Sequence, residues 1–116
     1  MTLEEAIQQH AQWKTRLHNA VLRHEPLDAE AIGRADRCVL GRWLHGEGRV
    51  RYVSWPEYTI VFECHKAFHA EAGRIARLIN AGQYAQAEKA LGNGTPYAQA
   101  AAAVAASVVH LKKLLS

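Results

Sequence analysis

The chain has 116 residues, a formal charge of +3, 49% apolar residues and 22% charged ones, the size and balance of one globular domain spanning residues 1–116. That composition excludes a disordered chain. The scattered Lys and Arg residues form no basic block with interleaved aromatics, and no apolar run approaches the roughly 18 residues of a membrane span, so neither a nucleic-acid partner nor membrane insertion is expected. MTLEEAIQQH is no signal peptide; the expected location is cytoplasmic, where two cysteines serve as thiols or metal ligands rather than a disulfide.

Abundant alanine and short β-branched runs predict an all-α fold. Thr2 and Glu5 form a T-x-x-E capping box ahead of a first helix over Leu3 to Arg23. Its apolar stripe is Leu3, Ile7, His10, Trp13, Leu17 and Val21, with steps of three and four. Pro26 biases Glu25 out of the α region and breaks the helix. A polar connector over Asp28 to Arg34 leads to a short helix from Arg37 to His45, with Asp36 as its N-cap, closed by GEGRVR. Ser54 and Glu57 make a second capping box before a long helix that runs to about Ala81 and stops at Gly82. Its stripe includes Tyr58, Val61, His65, Phe68, His69, Ala72 and Ile79. QYAQAEKAL forms a short helix ended by GNG, and Thr95 caps a last helix with Pro96 in its first turn. Long helices with shorter ones between them predict an antiparallel four-helix-type bundle with additional short helices.

Histidine is the composition outlier, with seven in the chain. In H-K-A-F-H, His65 and His69 lie four apart, so a helix presents both imidazoles on one face, here the apolar face. Buried histidines cost free energy unless they are hydrogen-bonded or ligate a metal. His10 falls on the inward stripe of the first helix as well, and Cys38, near the start of the short helix, offers a fourth donor. Three neutral imidazoles and one thiolate suit tetrahedral Zn2+ and leave the site with about one net positive charge. His18 replaces His10 if the first helix is rotated. Cys64 precedes His65 by one residue and points about 100° away from it, as a packing residue does. His24, His45 and His110 read as solvated or capping residues. Trp13 and Trp43 read as core residues that can also line the metal site, and Asp36 as a cap that can also orient a ligand histidine.

H-x-x-W-K-x-x-L around His10, C-x-L-G-x-W-L around Cys38 and H-x-x-x-H before an alanine-rich turn together resemble the chemoreceptor zinc-binding (CZB) domain, a bacterial family. The resemblance covers nearly the whole chain. It implies a helical bundle, often dimeric, with zinc held by the residues that stand here as His10, Cys38, His65 and His69. It further implies attachment to chemoreceptors or diguanylate cyclases, and sensing of zinc or of oxidants such as hypochlorous acid through the ligating cysteine. Alanine-rich AQAAAAVAAS in the last helix, which permits close helix approach, adds some support for a homodimer.

Catalysis is not expected. A zinc peptidase needs a general base beside its first histidine, as in H-E-x-x-H, and Lys66 occupies that position. Four protein ligands also leave no open coordination position for water. Di-iron bundles need inward carboxylates that these stripes lack. The remaining alternative is a helical protein-interaction module in which zinc is purely structural.

Overall fold

Helix α1 (Leu3–Arg23) begins as its capping box predicts. In the computed structural model, which describes residues 2–115, the Thr2 hydroxyl accepts from the Glu5 N–H and the Glu5 carboxylate accepts from the Thr2 N–H. His24 ends the helix in the left-handed region at φ 55° and stacks its ring on Tyr84, with centroids 3.8 Å apart.

The next stretch is more helical than its sequence pattern predicts. Helix α2 (Ala29–Gly33) lies within the expected connector, where the Asp28 carboxylate accepts from the Ala31 N–H and Ile32 is buried. Helix α3 (Val39–His45) starts two residues later than expected. Its N-cap is Cys38, whose sulfur accepts from the Gly41 N–H at 3.3 Å, while Asp36 pairs with Arg34 instead. Gly46 closes α3 as expected, but Glu47–Tyr52 then forms a further helix, α4.

Helix α5 (Pro56–Asn80) has Trp55 at its N-cap without a side-chain hydrogen bond, so the Ser54–Glu57 box does not form. The Trp55 N–H bonds to the Tyr52 carbonyl at 2.8 Å, which holds Ser54 in the preceding turn. Gly82 at φ 76° turns the chain into helix α6 (Tyr84–Ala90). Thr95 Oγ1 then accepts from the Ala98 N–H, at 3.2 Å, and caps helix α7 (Pro96–Leu115). There are seven helices and no strands among the described residues, and none of the helices is long and apolar enough to cross a membrane.

Contacts along α5 explain the arrangement. Starting from its C-terminal end, α5 meets Leu27 at Asn80, Gly33 at Gly73, Ile32 at His69, Cys38 at His65 and Leu44 at Tyr58. The stretch from α2 to α4 therefore runs antiparallel to α5 and fills the place of a broken fourth helix. Helix α7 is antiparallel to α1, with Lys112 Nζ 2.6 Å from Glu4 Oε2. Leu17, Leu40, Val61, Phe68, Ile75 and Leu111 are fully buried between these elements. Each such side chain contributes about 1.5–3 kcal/mol relative to exposure.

Candidate metal centre

Three elements deliver donors to one point in the bundle. Helix α5 carries His65 and His69 one turn apart, both almost completely buried, and α1 carries His10 on its inner face. The break between α2 and α3 brings in Cys38. A continuous helix at this place would carry a side chain past the site, whereas the N-cap position turns the Cys38 sulfur back toward α5. Gly41 makes that turn possible, since a Cβ there would lie 1.8 Å from the Ala35 carbonyl oxygen. The leucine and tryptophan of the C-x-L-G-x-W motif anchor the turn from the other side: Leu40 is fully buried and Trp43 packs on Tyr52 at 5.9 Å.

The nitrogen and sulfur donors of His10, Cys38, His65 and His69 all lie within 4.8 Å of one another. His10 Nδ1 donates to the Ala6 carbonyl at 2.7 Å, and His69 Nδ1 donates to the Ile32 carbonyl at 2.8 Å. A carbonyl only accepts, so each Nδ1 carries the hydrogen and each Nε2 keeps a lone pair. Both Nε2 atoms are sealed from solvent and have no hydrogen-bond partner. His65 Nε2 faces the Cys38 sulfur at 3.1 Å. Two orphaned buried lone pairs in one cluster are costly unless something with positive charge accepts them. Tetrahedral zinc with ordinary Zn–N and Zn–S bonds separates its donors by roughly 3.3–3.6 Å. The observed separations span that distance, so the four residues fit the ion with small side-chain adjustments.

Electrostatics favours neutral donors. Burial pulls all three imidazoles below their usual range, His65 to about 2, with the neighbouring His69 and His10 rings adding to the shift there. The hydrogen bonds to the Ala6 and Ile32 carbonyls oppose the effect at His10 and His69 without cancelling it. Burial pushes the Cys38 thiol up, and the Gly41 N–H pulls the other way. Neutral imidazole is the form that ligates metals, so the site needs no proton loss at its nitrogens.

His18, His24, His45, His110 and Cys64 are outside this cluster. Trp13 meets the His69 ring edge-on at 6.4 Å, whereas Trp43 is engaged with Tyr52. Asp36 orients no ligand histidine; that work falls to the Ala6 and Ile32 carbonyls. The first is recoverable from sequence, because it lies one helical turn before His10. The second joins residues 37 apart in sequence and depends on α2, whose only advance signal is Asp28 placed to cap a five-residue helix.

The family profile described as the chemoreceptor zinc-binding domain matches residues 10–76, more than half of the chain and a span that holds all four clustered residues. No curated protein and no solved structure matches the chain at a significant level.

Proposed function

The chain belongs to the chemoreceptor zinc-binding domain family, and from that premise we propose that His10, Cys38, His65 and His69 hold one zinc ion for sensing rather than catalysis. The observation that carries this reading is the pair of orphaned Nε2 atoms, on His10 and His69, inside a four-donor cluster. When bound, zinc supplies the positive charge that stabilises Cys38 as thiolate and accepts the buried lone pairs.

The chain's own residues do the rest. The Ala6 and Ile32 carbonyls fix the tautomer and ring orientation of His10 and His69. His65 and His69 are held by a helix that the whole bundle packs against, while Cys38 is held by the cap of a short one. Loss of the Cys38–zinc bond, through oxidation of Cys38 or through zinc depletion, removes the metal link between the α2–α4 stretch and α5. That stretch is the switching element, and residues 1–116 form the single domain that contains it. Its outputs are a second copy of this chain in a homodimer and a chemoreceptor or diguanylate cyclase signalling module.

Metal analysis of the purified protein tests the reading. One zinc per chain is expected, with affinity falling on the order of 100-fold or more in His65→Ala and His69→Ala and unchanged in His18→Ala and His110→Ala. A larger loss in His18→Ala than in His10→Ala, or no bound zinc, overturns it.

A further inference from the structure

The donors differ in what surrounds their outer sides. His10 and His69 have their Nε2 atoms shut off from solvent, and His65 is 1% exposed, but Cys38 is only half-buried. Cys38 and His69 line an open cleft of about 340 Å³ whose walls include Trp13, Arg16, Arg34 and Arg37. The Arg16 guanidinium sits over the Trp13 ring, 4.1 Å from its centroid, which holds the charge at the rim. Arg34 is paired with Asp36 at 3.0 Å. Asp28, the acidic residue that lines the cleft, is engaged in capping α2. Arg16 and Arg37 have no carboxylate ion-pair partner among the described residues. Arg16 and Arg37, without such a partner, therefore make the positive charge at this mouth.

Other clefts that reach the donors are of another kind. The one at His65 mixes Asp36 with Lys66 and His45, and those at His10 are apolar apart from Lys14. None of them is lined by Cys38. The way to the sulfur thus passes an arginine rim that repels a hydrated dication and attracts an anion.

We propose that this cleft is the exchange port of the metal site and that it binds carboxylate-bearing metal chelates, so that zinc arrives and leaves in the company of an anionic ligand. The inference rests on the zinc reading above and adds the route and the chemical class of the carrier. Arg16 and Arg37 pair with carboxylates of the chelate and hold it beside Cys38. The sulfur would then take the place of one carboxylate on the metal, with the thiol proton leaving to solvent as the metal stabilises the thiolate. His69 Nε2, sealed behind the sulfur, would take the place of a second donor as the metal passes inward. One metal–ligand bond forms for each that breaks, and no electron is transferred.

The test loads the full chain with zinc and follows its removal by EDTA, a polyanion, and by TPEN, an uncharged chelator, with protein-bound zinc measured after rapid desalting. At about 10 mM salt the Arg16→Gln/Arg37→Gln double variant is expected to lose zinc to EDTA roughly tenfold more slowly than the unmodified chain. Its rate with TPEN stays unchanged, and raising the salt slows the EDTA reaction of the unmodified chain toward the variant's rate. Lys14→Gln and Lys66→Gln, at the other clefts, leave both rates as they were. Equal slowing in either lysine variant, an EDTA rate that ignores salt, or one independent of EDTA concentration overturns the port. Should the double variant fail to fold, Arg37→Gln and the salt dependence of the unmodified chain decide the same question. A chain that takes up no zinc at all refutes the metal reading itself, a result distinct from the others.

Discussion

Helix α5 and the α2–α4 stretch run side by side in opposite directions, yet they contribute to the proposed metal centre in different ways. Helix α5 is one continuous helix of 25 residues with ten buried positions, and its two histidines are placed by helical geometry alone. The α2–α4 stretch is three helices of 5, 7 and 6 residues, each too short to be stable by itself. Its donor, Cys38, is placed by a cap and a turn. Its contacts with α5 include Cys38 facing His65, Ile32 to His69, Gly33 against Gly73, and the Tyr58 hydroxyl donating to the Leu44 carbonyl. One half of the proposed site sits on a long helix and the other is held in place by what it touches. On the proposed reading, a local event at Cys38 acts on the second half.

Removing the metal should separate the two halves most clearly. Structural zinc sites contribute their binding free energy to folding, so chelation is expected to lower the melting temperature by several degrees. Hydrogen exchange should rise in α2–α4 and change little in the centre of α5. Uniform loss of protection along both would show that the halves fold and open as one unit.

Acid should weaken the metal-free chain through its three histidines. Their folded-state pKa values lie below the unfolded value, chiefly because of burial, so the unfolded chain binds more protons as pH falls. The stabilising contribution is complete above about 6.5 and declines below it, down to the folded value of about 2 at His65. A thermal melt of metal-free protein at pH 7.5 and 5.5 is expected to show the lower midpoint at pH 5.5. An unchanged midpoint would mean that these rings are not buried neutral groups.

A smaller effect is expected at the turn that presents Cys38. Gly41→Ala puts a Cβ against the Ala35 carbonyl and should cost about 1–3 kcal/mol, with weaker zinc binding and little change in helix content. Zinc affinity equal to that of the unmodified chain would show that the turn adapts. The smallest contrast lies at the helix starts: Thr2→Ala should cost about 1 kcal/mol, whereas Ser54→Ala should fall within about 0.5 kcal/mol of neutral.

Much of the scaffold is legible in the sequence, for physical reasons that also mark where legibility stops. The stripes of α1 and α5 repeat over five or more turns, so Leu17 and Phe68 announce their burial. His65 and His69 are readable because four residues on a long helix fix a direction. Helices α2 and α4 are too short to show a period, and what makes them helical is contact with the rest of the bundle. Cys38 replaces Asp36 as a cap because the backbone between them turns over Gly41, a feature that only the packing of Ala35 reveals. Ser54 loses its cap to a turn closed by Trp55 and Tyr52. The Ile32 carbonyl joins the site through chain reversal and has no local signature.

X-ray absorption at the zinc edge tests the central claim most directly, because it counts the atoms bound to the metal. One sulfur at about 2.3 Å and three nitrogens at about 2.0–2.1 Å are expected in the unmodified chain, with the sulfur signal gone in Cys38→Ser. A zinc shell without sulfur, or one whose sulfur survives Cys38→Ser, would contradict a site that joins α5 to the broken helix through Cys38.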